Sequence, residues 1–338
     1  MAVAEMPADV MAAAEAFLGA PPERVNPLVG GHINRNFRVQ LGAIDLVVQS
    51  LNTHVFADPS LVQRNLIAIT SHLRSEGFTS IEPVPTTAGE STFIAPDGAA
   101  WRAMHFIDGV VGDAAVPTDG LRHISELFGR FDRALSTLPV ASVAETIPRF
   151  HDFGFRLSQL TDAIGVDRVG RVAASAPAID RCMQAVVELS DSDGWSDWHG
   201  LPVRLVHNDA KASNVLLERA TGNPLAVIDL DTCMAGTLLN DVGELVRSFG
   251  KYPQPLDHTR IDAVIESFRA GWGSDLTDEE NELMALAGAK LAIENAVRFL
   301  ADHLDGDRYF RLTGTESNLA RFTAEVTHGE NLLTYAQS

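Results

Sequence analysis

The sequence predicts an α+β chain in two parts, a small N-terminal lobe over residues 1–107 built on an antiparallel sheet and a larger, mostly helical remainder over residues 108–338. Three observations carry this. Phe37, Val39 and Leu41 alternate with Arg38 and Gln40, Gly42 marks a turn, and the run 44–48 returns as an apolar strand, which is the period and punctuation of a hairpin. Beyond residue 108, the segments 147–160, 180–189, 261–272 and 278–304 are helix-compatible, with Gly, Pro and Asp-Ser clusters between them. Within that remainder the stretch 204–232 holds three short apolar runs, 205–206, 215–217 and 225–228, that read as buried strands with polar residues at their ends.

Each element has a local reason. The Ala-rich opening carries Glu5, Asp9 and Glu15 and no basic leader, so it reads as a helix and not as a signal peptide. Ser60 and Gln63 stand at capping-box spacing, and Val62, Leu66, Ile69 and Leu73 form a helical stripe with Arg64 and Asn65 beside it. Residues 91–107 give two strands about a Pro96-Asp97-Gly98 turn. Residues 191–200 read as an exposed connection. Cys182 and Cys233 match no metal-ligand spacing and are expected to be buried small hydrophobes, which suits a reducing cytoplasm.

A formal net charge of -19 argues against nucleic acid as a partner, because phosphate binding on that scale needs a basic face. A nucleotide needs only a local cationic pocket, and the remaining acidity serves solubility. The same acidity would also attract a polycationic acceptor. No apolar run approaches the length of a membrane span, and neither a P-loop nor a Rossmann glycine pattern is present.

The segment 204–232 packs a base, a cation and two metal ligands into one apolar framework. Asp209, Asn214 and Asp229 have the order and spacing of a phosphoryl-transfer site: a loop carboxylate that takes the acceptor's proton, an amide five residues on and a later carboxylate that hold Mg2+. Magnesium wants hard oxygen ligands, and a carboxylate and an amide carbonyl offer them. Lys211 stands where an ammonium can offset charge on the transferring group. His207 is expected to brace the loop through backbone bonds. Asp229 sits in a strand-like segment, where a buried carboxylate without a counter-ion would be costly. Asp231 reads either as its supporting partner or as a surface turn residue.

The chain resembles the aminoglycoside phosphotransferase and choline kinase-like superfamily, a two-lobed protein-kinase-like fold, and within it the N-acetylhexosamine 1-kinases. That narrower likeness rests on GGHINRNF at residues 30–37, QSLN at 49–52 followed by Val55-Phe56, VPTT at 84–87, HNDAKASN, IDLDT, and RFLADHLDGDRYF at 298–310. The resemblance implies ATP and Mg2+ as cofactors and a small-molecule sugar as acceptor. It adds Gly30 and Gly31 as a phosphate-approaching turn, His32 and Asn34 as residues facing the acceptor, and Thr232, Arg298 and Tyr309 as further sugar contacts. From spacing alone Gly30-Gly31 is equally a plain turn, Arg298 a surface pair with Glu294, and Tyr309 a half-buried aromatic. His105 and Ile107 fall at an expected hinge where backbone groups bind an adenine edge.

One departure stands out. Gln49 occupies the position where protein kinases carry the lysine that pairs with nucleotide phosphates, and Arg64 and Lys211 are the candidate substitutes. Beside the sugar 1-kinase reading stand two others: a phosphotransferase for an aminoglycoside or other amino alcohol, and a nucleotide-binding pseudokinase motivated by Gln49.

Overall fold

The computed structural model describes residues 6–28, 34–53, 55–192, 198, 200–251, 255–310, 312 and 317–338. It has the two-lobed kinase-like architecture, with a small antiparallel sheet in the N-terminal region followed by many helices. The chain divides into two compact units that interleave in sequence. The first joins residues 1–110 with the returning segments 137–148 and 216–235, and the second holds 111–136, 149–215 and 236–338.

In the first unit, α1 (Ala8–Leu18) precedes β1 (Arg24–Leu28), β2 (Arg35–Leu41) and β3 (Ile44–Ser50); then come α2 (Pro59–Ser75), β4 (Pro83–Val84), β5 (Phe93–Ile94) and β6 (Ala100–His105). The sheet runs β1-β2-β3-β6-β4, with β5 on β6, and its named pairs are antiparallel. Gly42 takes φ 56° at the β2–β3 turn, a conformation that costs a residue without a Cβ little. Alternation sorts the two faces. Val39, Leu46, Val48, Trp101 and Ala103 pack with Val10, Ala14 and Phe17 of α1 into one apolar core. Residues of the opposite parity, among them Asn36, Gln49 and Arg102, face the other way.

Helix α2 begins two residues earlier than a Ser60 cap would place it. Asp58 Oδ1 accepts the Leu61 N–H at 3.0 Å and Pro59 fills the first helical position, where its missing N–H does no harm. Val62, Leu66, Ile69 and Leu73 are buried as their stripe requires.

The second unit is helical, with α3 (Thr118–Leu135), α4 (Phe153–Val166), α5 (Ala176–Ser190), α6 (Leu238–Gly250), α7 (His258–Trp272), α8 (Asp278–Asp305) and α9 (Asn318–Ala336). α8 packs against α4, α6 and α9. α3 and α7 approach until only glycine fits: a Cβ on Gly271 would lie 2.1 Å from the Glu126 carbonyl oxygen. The expected helix over 147–160 starts only at Phe153, because Arg149 takes φ 55° and Asp152 caps the helix by accepting the Phe155 N–H at 2.7 Å. After β7 (Val110–Val111), the short strands of the 204–232 stretch are β8 (Arg204–Val206), β9 (Val215–Leu217) and β10 (Pro224–Val227).

Most of the expected connection at 191–200 lies outside the described residues. Both cysteines are free and buried, and burial pushes the Cys182 thiol up to about 12. Among the described residues no helix is long and apolar enough to cross a membrane.

Candidate active site

The loop after β8 gathers three predicted residues within bonding distance. Lys211 Nζ donates to Asp209 Oδ2 at 2.7 Å, and the Asn214 amide donates to the same oxygen at 3.0 Å and to the Asp209 carbonyl at 2.8 Å. Residues Ala212–Asn214 form one 3-10 turn, which is what lets a side chain five residues on reach back to Asp209. Both donors engage Oδ2 and leave Oδ1 outside their bonds. Burial pushes the Asp209 carboxyl upward, but the Lys211 ammonium, His207 and Asn214 outweigh it and hold it below the usual carboxylate range. An ionised carboxylate with one partly exposed oxygen is the state a proton acceptor needs. The Asn214 nitrogen is turned to Asp209, which leaves its carbonyl oxygen as the atom suited to a hard cation.

Beneath the loop lies a support that spacing does not reveal. Asp241 on α6 accepts the backbone N–H groups of His207 and Asn208, each at 2.6 Å. His207 is fully buried, its ring against Phe128 and Phe131 of α3, and its Nδ1 accepts the Asp209 N–H at 3.3 Å; the expected bracing role is therefore visible in its contacts. Asn208 takes φ 62°, unusual for a residue with a side chain, and is pinned on several sides. Asn240 Nδ2 donates to its Oδ1 at 2.8 Å, and His151 Nε2 bonds its carbonyl at 2.8 Å. His151 Nδ1 in turn meets Glu294 at 3.0 Å, and Lys290 donates to Glu294 at 2.7 Å, all three well buried.

Burial raises the Glu294 carboxyl, yet Lys290 and His151 reverse this and leave it well below its ordinary range. Asp132 lies under the same loop. Burial, and after it the neighbouring Asp241 charge, push its carboxyl well above the usual range, and burial raises Asp241 as well.

The second acidic motif belongs to the first unit and inverts the expected burial. Asp229, at φ 61° just ahead of the 3-10 turn Leu230–Thr232, is exposed; Asp231 is the buried carboxylate, 3% exposed. Its counter-ion is the Arg102 side chain. Arg102 Nη2 lies 2.7 Å from Asp231 Oδ1 and 2.8 Å from Oδ2, and Asn34 Nδ2 donates to Oδ2 at 3.1 Å. Thr146 Oγ1 donates to the Asp231 carbonyl at 2.7 Å. The cost of burying a carboxylate is real in this motif, but it attaches to Asp231, and an arginine two strands from the hairpin turn offsets it.

The remaining predicted residues scatter. Gly30, Gly31 and His32 lie outside the described residues. Asn34 has both ends engaged, since its Oδ1 accepts the Asn52 N–H at 3.0 Å while its amide holds Asp231. Arg64 is exposed on α2, in a long 3.9 Å pair with Asp58. At the end of β6 the His105 N–H is bonded to the Glu82 carbonyl and the Phe106 N–H to the Asp45 carbonyl, both at 3.0 Å, and Ile107 follows directly. Thr232 is buried in its 3-10 turn.

Arg298 and Tyr309 do come together, lining a cavity of about 510 Å³ in the second unit with Arg156, Gln159, Asp162 and Phe310. Arg298 stacks between Phe150 and Phe310, and Glu294, its spacing-based partner, is taken by Lys290 and His151. The loop carrying Tyr309 is held by Asp302, which accepts N–H groups from Arg308, Tyr309 and Phe310 at 2.8 to 3.0 Å. Tyr309 itself is 53% exposed.

Among the described residues no group of three or more His, Cys, Asp or Glu is placed to hold a metal by itself. Asn214 in the second unit carries an amide oxygen and Asp229 in the first an exposed carboxylate, each a donor type that suits a hard cation such as Mg2+.

Fold and loop together define a phosphotransferase of the kinase-like class acting on hydroxyl groups. The chain belongs to the phosphotransferase enzyme family, whose model matches residues 24–283. Solved structures of the same fold include a microcompartment-associated aminopropanol kinase, 16% identical with 97% of each chain covered and a TM-score of 0.64. An amicoumacin kinase in complex with AMP-PNP and Ca2+ is 14% identical, with 96% of this chain and 92% of that one covered and a TM-score of 0.66. An aminoglycoside phosphotransferase from Alicyclobacillus acidocaldarius is also 14% identical, covering 98% and 96%, with a TM-score of 0.65.

Proposed function

We propose that this chain is an ATP- and Mg2+-dependent kinase that phosphorylates the anomeric hydroxyl of an N-acetylhexosamine, giving a hexosamine 1-phosphate and ADP. The observation that carries the phosphotransfer is the Asp209 carboxylate, held ionised by Lys211 and Asn214 with Oδ1 left for an acceptor. Asp209 orients the sugar hydroxyl and takes its proton late in the transfer. Lys211 offsets charge on the phosphoryl oxygens. Asn214 and Asp229 would hold Mg2+, which supplies charge neutralisation at the phosphates when bound. Binding of AMP-PNP and a divalent ion by the amicoumacin kinase is in keeping with this use of a nucleotide and a metal.

The sugar reading rests on the resemblance of residues 298–310 and on the cavity they line. Arg156, Arg298, Gln159 and Tyr309 offer donors and acceptors for hydroxyls, and Phe310 offers an apolar wall. The cavity suits a neutral acceptor better than a polyamine. Asp302 is committed to the backbone of its own loop, and Asp305 is paired with Arg168 at 2.6 Å and Arg308 at 3.4 Å, so two of its three carboxylates are already answered. An amino alcohol remains the second reading, because the aminopropanol kinase and the aminoglycoside phosphotransferase share the fold.

Coupled ADP release with Mg2+-ATP, run across N-acetylglucosamine, N-acetylgalactosamine, glucosamine, several aminoglycosides and 1-amino-2-propanol, separates them. Turnover with N-acetylhexosamines and a 1-phosphate product by phosphorus NMR is the expected result. Turnover confined to amines would reassign the acceptor, and silence with every acceptor would point to a regulator that only binds nucleotide.

A further inference from the structure

Gln49 leaves the first unit without a lysine where the kinase pattern puts its phosphate-pairing cation, and the structure places an arginine beside it. Asn36, Gln49 and Arg102 are direct register partners on β2, β3 and β6, so the three side chains form one row across the sheet on the face opposite α1. The row is bonded end to end: Gln49 Nε2 donates to Asn36 Oδ1 at 2.7 Å, and Arg102 Nε donates to Gln49 Oε1 at 2.7 Å. Gln49 is thereby fixed in one amide orientation, its oxygen toward Arg102.

We infer that Arg102 is the cation that meets the nucleotide phosphates in this chain, with Gln49 as its positioning residue and Asp231 as its anchor. This rests on the ATP reading given above. The guanidinium is 2% exposed, and two of its nitrogens are committed, Nε to Gln49 and Nη2 to both oxygens of Asp231. Nη1 is sealed from solvent and has no acceptor among the described residues. A tie between β6 and the Leu230–Thr232 turn needs only the edge facing Asp231. A buried charged donor left unmet is expensive, and an anionic oxygen is the group that answers it best.

The arrangement repeats the logic of the kinase lysine, shared between phosphates and a carboxylate, with both partners moved. The cation has shifted to the neighbouring strand, and the carboxylate lies two residues past Asp229 in the motif proposed to hold Mg2+. A guanidinium suits the task because it cannot lose its charge and its fork can hold a carboxylate and a phosphate on separate nitrogens. The substitutes suggested by spacing are placed otherwise, Arg64 beside Asp58 and Lys211 on Asp209.

Titration calorimetry of the full chain with Mg2+-AMP-PNP and, separately, with adenosine tests this. Arg102→Met alone leaves Asp231 unpaired and can fail to fold, so the double variant Arg102→Met/Asp231→Asn, which removes both charges, is the decisive one. It should bind AMP-PNP at least roughly tenfold more weakly while holding adenosine within about twofold. Asp231→Asn alone keeps the cation while loosening its anchor, so it should lose clearly less AMP-PNP affinity than the double variant, and adding Gln49→Lys to the double variant should recover most of the loss. Undiminished AMP-PNP binding in the double variant, a parallel loss of adenosine, or an equal loss in Asp231→Asn alone would each overturn the inference. A parent chain that binds neither probe would overturn the ATP reading, and this inference with it.

Discussion

The Asp209 loop and the Asp229-Asp231 turn are both short acidic motifs at strand ends, yet they manage charge in opposite ways. In the loop, the Asp209 carboxylate is partly exposed and its partners Lys211 and Asn214 lie within five residues of it. In the turn, the exposed carboxylate is Asp229, and the buried Asp231 draws its counter-ion from 129 residues away. A local cluster can be read from spacing; a buried pair is assembled by topology. The contrast also separates burial, because the loop keeps its carboxylate half-buried with local partners whereas the turn buries its inner carboxylate against Arg102 and exposes the outer one.

The largest expected effect falls on the loop. Asp209→Asn should fold normally and bind Mg2+-AMP-PNP while losing turnover by roughly a thousandfold, the range over which a positioned base contributes. Coupled ADP release checks this, and retained turnover would remove the base from the loop. The next effect concerns what holds the loop. Asp241→Ala leaves the buried N–H groups of His207 and Asn208 without an acceptor, which should cost roughly 3 kcal/mol in denaturant unfolding. A loss much smaller than this would show that water replaces Asp241.

Acid sharpens the comparison further. His328 on α9 is buried with its Nε2 bonded to the Arg247 carbonyl at 2.9 Å, in company with Glu325 and Lys251. Burial, first among several influences, lowers its pKa from 6.5 to about 4. The folded value is depressed, so its share of stability is present above pH 6.5 and is lost as pH falls toward 4, a change of roughly 3 kcal/mol. Asp209, held below the usual carboxylate range, stays ionised through that window. Loss of activity between pH 6.5 and 4 should therefore track unfolding followed by circular dichroism, and His328→Gln should flatten the stability curve. An acid limb in kcat on a fully folded chain would instead assign titration to the loop.

The smallest effect lies in the turn. Asn34→Ala removes one bond to Asp231 and one from Asn52, an expected loss of about 1 to 2 kcal/mol with acceptor KM unchanged. A raised KM without loss of stability would return Asn34 to the acceptor site.

How much was legible follows the same division. The β2–β3 hairpin, the α2 stripe and the strands around Asp97 were readable because their signals are local: alternation, a turn glycine, a helical period. Helix starts were read less well at Ser60 and Ile147, where a neighbouring aspartate with a proline or a left-handed residue set the true cap. In the loop, residue types at fixed spacing named Asp209, Lys211 and Asn214. Nothing in the sequence pointed to Asp241 or His151 as supports of that loop, or to Arg102 as the partner of Asp231, since each reaches its partner only after helices or strands have packed. Gln49 was the one local clue to Arg102, an absence whose answer lay one strand away in the sheet and 53 residues on.

The interleaving of the two units has a consequence for synthesis. The sheet of the first unit emerges from the ribosome early, with Arg102 already in β6, but its anion Asp231 arrives with the segment 216–235, after most of the second unit's first half has been made. Until then a guanidinium destined for the interior lacks its carboxylate, so nascent chains ending before residue 231 should be readily cleaved by protease, and resistance should appear only in those extending past residue 235.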